Sequence, residues 1–129
     1  MNALLAMTDF LTVLQMKEML AEKDFSRFER PDGEDDCATL LDHLVPDLVV
    51  IDADATPVRP SWLIGLCLAR GCAVLALTDD HNAESSDPSV VVLHKPYMKQ
   101  QARVAIEDAL SRRSDVLAAK DTDATARPH

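Results

Sequence analysis

Uninterrupted apolar runs alternate along this chain with apolar residues at a helical period. Residues 3–7 (ALLAM) form a short apolar run and read as a first strand. Thr8 or Asp9 can then cap a helix running to about Lys23, with Leu11, Leu14, Met19 and Leu20 largely on one face. Residues 25–29 (FSRFE) form a weak second strand, because Phe25 and Phe28 do not alternate cleanly. Pro31-Asp32-Gly33 marks a turn. A second helix fits about 35–44, with Cys37, Leu40, Leu41 and Leu44 inward.

Pro46 introduces Asp47-Leu48-Val49-Val50-Ile51-Asp52, whose four consecutive apolar residues include three that are β-branched. Such a run signals a strand buried on both faces, as in parallel sheets covered by helices. Residues 53–60 are a loop, and Ser61 can cap a third helix carrying Trp62, Leu63, Leu66 and Cys67. Gly71 stands where a helix C-cap glycine belongs. Residues 72–77 (CAVLAL) are another buried strand, ending at Thr78. Residues 90–93 (VVVL) are the next, ending at His94-Lys95-Pro96. A last helix fits about 98–112, with Ala102, Ala105, Ile106, Ala109 and Leu110 as its stripe.

One helix is short or missing. Residues 79–88 contain a single small apolar side chain, Ala83, and cannot form an amphipathic helix. They are expected to be a loop or a single turn. The strand-helix alternation implies a parallel sheet with right-handed crossovers. The expected domain is residues 1–113, followed by a flexible polar tail over 114–129.

Composition narrows the function classes. With 129 residues and 47% apolar content, the chain fits one normally cored domain. A formal charge of −9 and a pI near 4.7 argue against a nucleic-acid surface, which needs clustered Lys and Arg. No apolar run approaches the roughly 18 residues of a membrane span. The first residues lack a basic leader, so no secretory signal is expected. The three cysteines are odd in number and lack a C-x-x-C pair, which reads as free thiols in a reducing cytoplasm. With only three glycines, there is no Gly-rich phosphate loop, nor is there a nucleophile elbow. A nucleotide binder or hydrolytic enzyme ranks low on that ground.

Three polar residues end apolar runs: Asp52, Thr78 and Lys95. In a parallel sheet, ligands and chemistry gather outside the carboxyl ends of the strands. A carboxylate, a hydroxyl and an ammonium meeting there suit acceptance of a phosphoryl group. The carboxylate attacks phosphorus, the hydroxyl donates to a phosphoryl oxygen and the ammonium offsets developing charge. The plainer alternative is that Asp52 only caps a turn, Thr78 is an ordinary strand residue and Lys95 snorkels beside the acids.

Pro46-Asp47-Leu48-Val49-Val50-Ile51-Asp52, then Leu77-Thr78, then Lys95-Pro96-Tyr97, resemble the receiver domains of two-component response regulators. The resemblance covers about residues 2–112. It implies a flavodoxin-like, doubly wound α/β fold with a five-stranded parallel sheet in the order 2-1-3-4-5. It further implies Asp52 as phosphoacceptor, Thr78 as switch hydroxyl, Lys95 as the companion lysine and a cis bond before Pro96. Such a protein is a signalling module rather than an enzyme. It takes a phosphoryl group from a histidine kinase or phosphotransfer protein in the cytoplasm and signals through a downstream protein partner.

The sequence also departs from that pattern. Receivers use magnesium, held by an acidic pair after the first strand. Here that stretch reads Met7-Thr8-Asp9, so the acids left for a metal are Asp9, Asp52 and Asp54. The aromatic switch three residues before the lysine is Val92. The short segment after the fourth strand resembles the alphaproteobacterial receivers with a Phe-Ala-Thr-Gly-Tyr motif, of which only Thr78 survives here. A phosphorylation-independent pseudo-receiver, acting as a protein-interaction adaptor, therefore stands as the alternative. Read as a stand-alone module, the chain would be a monomer or weak homodimer without nucleic-acid or membrane partners. The stripe Lys99, Arg103, Arg112 and Arg113 reads either as a basic docking face or as solvated charge.

Overall fold

A computed structural model describes residues 1–84 and 87–126, with side chains described to residue 114. The elements run β1 (Asn2–Ala6), α1 (Phe10–Ala21), β2 (Arg27–Glu29), α2 (Glu34–Leu44), β3 (Leu48–Asp52), α3 (Pro60–Ala69), β4 (Ala73–Thr78), β5 (Val90–His94) and α4 (Lys99–Ala126). The strands form one five-stranded sheet in the order β2-β1-β3-β4-β5, with every pairing parallel. This is the topology that the resemblance implies.

The unbroken apolar runs now have a physical explanation. Successive residues of a strand point to opposite faces, so a strand covered on both sides must be apolar throughout. Leu5, Val50, Leu75 and Leu77 enter one core with Val13, Met16 and Leu20 of α1 and Ala102 and Ile106 of α4. Leu4, Val49, Ile51 and Val74 enter the other with Cys37 and Leu41 of α2 and Leu63 and Cys67 of α3. Fully burying a Leu or Ile of this kind contributes roughly 1.5–3 kcal/mol.

Several boundaries and faces differ from the sequence reading. α1 buries Val13, Met16, Met19 and Leu20, while Leu11 and Leu14 stand 61% and 46% exposed. The apolar stripe of α1 is wider than its contact with the sheet, so periodicity alone chose two residues on the wrong edge. α4 does not stop near residue 112 but continues to Ala126. Neither Pro nor Gly interrupts residues 99–126, and the stretch is rich in good helix formers. The expected boundary at 113–114 therefore falls inside a helix, and the last tail residues, 127–129, lie outside the described residues.

Between β4 and β5, residues 79–84 and 87–89 are turns, bends and irregular backbone, with no helix among the described residues. Ser85 and Ser86 of the expected loop lie outside them. His81 of this connection stacks on His94, the last residue of β5, with ring centroids 5.7 Å apart. The cations of the expected basic stripe pair at the surface with the molecule's own acids and carbonyls. Arg103 pairs with Glu22 at 2.9 Å, Lys99 with Glu18 at 3.7 Å and Arg112 with Asp108 at 3.0 Å. Arg113 donates to the Gly71 carbonyl at 2.8 Å, where Gly71 sits at a φ of 73° after α3.

Candidate functional site

The sheet register gathers the three strand-end residues. Asp52 pairs with Leu77, and Thr78 pairs with His94, so Asp52, Thr78 and Lys95 end neighbouring strands in a one-step stagger. Two backbone bonds extend the ladders past the strand ends: Ala53 N–H to Leu77 at 2.8 Å and Lys95 N–H to Thr78 at 2.7 Å. The sheet therefore fixes these residues up to the point where the side chains leave it. Lys95 is followed by a cis bond to Pro96.

Asp52 is 1% exposed and Thr78 is 6% exposed, the two buried polar residues among the described ones. The Lys95 ammonium donates to Asp52 Oδ1 at 2.7 Å, and the Asp54 amide donates to the same oxygen at 3.1 Å. Both bonds fall on Oδ1, and Oδ2 takes part in neither. Lys95 Nζ also lies 3.2 Å from Asp54 Oδ2, so one ammonium bridges two carboxylates. Partial burial draws the Lys95 pKa down, but the bonds to Asp52 and Asp54 outweigh it and hold the lysine above its usual value.

Asp54 is bound more fully than its position in a loop suggests. Its Oδ2 accepts the Asp79 amide at 2.8 Å, and its Oδ1 accepts the Thr78 hydroxyl at 3.4 Å. Desolvation works against its ionisation, and the Asp79 amide and Lys95 outweigh it, holding the carboxyl below the ordinary aspartate range. The Thr78 hydroxyl also accepts the Asp80 amide at 3.1 Å. Sequence reasoning missed the Asp79 amide, because a backbone N–H has no side-chain signature.

Asp9 is directed elsewhere. It caps α1, accepting the Leu11 amide at 3.3 Å and the Thr12 hydroxyl at 2.7 Å. The Thr12 hydroxyl is the main reason its carboxyl sits below the usual value; desolvation opposes it, and the Leu11 amide and the Lys95 charge add to the lowering. Met7, in the expected acidic-pair stretch, is 1% exposed and belongs to the core shared with α1 and α4. Thr8 spans the gap to the next loop, with its amide 2.9 Å and its hydroxyl 3.2 Å from the Ala55 carbonyl. Asp9, Asp52 and Asp54 are thus not brought to one point. Among the described residues, no group of three His, Cys, Asp or Glu side chains is placed to hold a metal ion. Magnesium takes a near-octahedral oxygen shell, and the two carboxylates in reach already share a lysine. The residues present do not fit it.

The fold can be compared with solved structures. PhyR from Brucella abortus, described as a response regulator, superposes with a TM-score of 0.74 at 13% identity over 92% of this chain. A response regulator receiver protein from Sinorhizobium medicae WSM419 gives 0.72 at 19% identity over 87% of this chain and 95% of its own. This is the receiver fold. SdrG from Sphingomonas melonis Fr1 shares it with a TM-score of 0.60 at 18% identity, covering 84% of this chain and 95% of its own. The chain spans about half (51%) of the length of the Brucella protein. No protein-family model matches the sequence, and no curated protein matches it either. What the likeness shows is the fold; in this chain Asp52, Thr78 and Lys95 lie at the carboxyl ends of β3, β4 and β5. Among the described residues, no helix is long and apolar enough to cross a membrane.

Proposed function

We propose that this chain is a receiver-type signalling module that accepts a phosphoryl group on Asp52 and reports its state through contacts with other proteins. The observation that carries the reading is the 2.7 Å contact between the Lys95 ammonium and the buried Asp52 carboxylate, beside the Thr78 hydroxyl. In the step proposed, Asp52 Oδ2 attacks the phosphorus of a phosphohistidine or acyl phosphate. A P–O bond to Asp52 forms, the bond from phosphorus to the donor's nitrogen or oxygen breaks, and its electron pair leaves with the donor. Lys95 stabilises the charge that develops on the phosphoryl oxygens. The donor would be a histidine kinase or phosphotransfer protein, and the output would pass to a downstream protein partner.

The test is incubation with acetyl phosphate at millimolar magnesium, read by intact mass and by NMR. A gain of one phosphoryl group, lost in Asp52→Asn, supports the reading. An unmodified protein with unmoved signals around Asp52 refutes it.

A second reading is favoured by Met7 and Asp9. Met7 is buried in the core and Asp9 caps a helix, so the acidic half of a phosphorylation site is missing. On this reading the chain keeps the fold as a phosphorylation-independent adaptor. Partner capture that is equal for wild type and Asp52→Asn, whatever the phosphoryl donor, would select it.

A further inference from the structure

The donors gathered at the ends of β4 and β5 are already in use. Lys95 Nζ, the Thr78 hydroxyl and the Asp79 amide all converge on the Asp54 carboxylate, at 3.2, 3.4 and 2.8 Å. One of these is a cation, one a hydroxyl and one a main-chain N–H. They come from the ends of β4 and β5 and from the residue after β4. Together they form an oxyanion site open to solvent, and the oxyanion held there is the chain's own, with the Asp54 side chain 30% exposed.

We propose that Asp54 is a resident anion occupying the pocket beside Asp52, and that a phosphoryl group on Asp52 must displace it. This rests on the reading of Asp52 as the acceptor and adds how that site is regulated. A phosphoryl group brings three oxygens that need donors in place of solvent. Asp52 Oδ2 lies outside the two bonds that hold Oδ1, so a group attached there competes with Asp54 for Lys95, Thr78 and Asp79. The ammonium already bridges two single charges, and a phosphoryl group on Asp52 brings about −2 where the carboxylate carried −1, so the like-charge repulsion on Asp54 rises. Asp54 then has to leave the pocket.

Its departure has a route outward. Asp54 is followed by Ala55, whose carbonyl holds both the amide and the hydroxyl of Thr8. Displacing Asp54 therefore pulls on a carbonyl that joins the loop after β3 to the loop after β1. The switch is an aspartate leaving a pocket, and it needs no aromatic ring at Val92.

The experiment compares wild type, Asp54→Ala and Asp54→Asn with acetyl phosphate, which transfers its phosphoryl group to Asp52 and releases acetate. The readouts are the phosphorylation rate by mass and the Asp79 amide shift by NMR. The expected result is a rate about tenfold or more higher in both variants, with the Asp79 amide proton moving upfield before any donor is added. Equal rates in variants and wild type overturn the inference and leave the acceptor reading standing. If no protein reacts, the acceptor reading falls, and the double variant Asp52→Asn, Asp54→Ala decides the pocket. Titrated with inorganic phosphate, it keeps the resident-anion inference if the Asp79 amide and Lys95 signals saturate where wild type stays unchanged. An unmoved double variant overturns it.

Discussion

The Lys95 ammonium meets Asp52 Oδ1 at 2.7 Å, with the Asp52 side chain 2% exposed and that of Lys95 27% exposed. A carboxylate so enclosed depends on its cation. Lys95→Met leaves Asp52 with the Asp54 amide alone on that oxygen. The expected loss is about 1–3 kcal/mol of unfolding free energy, read from urea denaturation. Asp52→Asn, which leaves no buried charge behind, is expected to cost less than Lys95→Met. The reverse order would show that the ion pair does not set the stability of the site.

Asp54 supplies a pH signature. Its carboxyl is held below the ordinary value of 3.8 against some desolvation, by the Asp79 amide and Lys95. An acid with a depressed folded-state value adds stability that is present above its unfolded value. That stability is lost as pH falls through the folded value. Carboxyl-detected NMR titration should place Asp54 below 3.8 in wild type and higher in Lys95→Met. The wild type should therefore lose more stability than Lys95→Met between pH about 4 and pH about 2. An Asp54 midpoint unmoved by the substitution would contradict the bridging role of Lys95.

Cys37 is fully buried, and its thiol is pushed up to about 11 by burial, with the charges of Asp36 and Glu34 adding to the effect. Only the thiolate reacts with alkylating reagents. At pH about 8, Cys37 should be modified only through opening of the structure, so its rate should track urea-induced unfolding. Rapid modification in the absence of denaturant would show that α2 opens locally.

Leu63 is 0% exposed in the core under α2 and α3, whereas Leu14 on α1 is 46% exposed. Leu63→Ala should cost about 2–5 kcal/mol, and Leu14→Ala should stay within about 0.5 kcal/mol of wild type. The pair tests the corrected face of α1, because the apolar period alone ranks the two leucines alike. Chemical denaturation of both variants is sufficient.

The β-branched stretches around Val49 and Val91 made the parallel sheet legible, since only strands covered on both faces read that way. The poverty of residues 79–88 in apolar side chains likewise foretold an irregular connection. The strand ends were legible because Asp52, Thr78 and Lys95 interrupt apolar runs. What the sequence hid is what depends on direction. Asp9 and Asp54 are the same residue type, yet one turns to cap α1 and the other turns toward the Asp79 amide and Lys95. The Asp79 amide contributes through its backbone, which any residue but proline would supply. The reach of α4 to Ala126 was missed because a polar composition hides a helix that carries no stopping residue.

The two edges of the sheet set how other molecules can approach it. β2, at one edge, has only three residues, with Arg27 and Glu29 side by side 3.7 Å apart. At the other edge, Arg112 donates to the carbonyls of Pro88 at 2.8 Å and Val90 at 3.4 Å, taking up the start of β5. A foreign strand needs a row of free N–H and C=O groups, and a short charged edge or an occupied carbonyl denies it one. Strand addition is therefore disfavoured at the short β2 edge and at the start of β5, which steers a binding protein toward side chains and loops there.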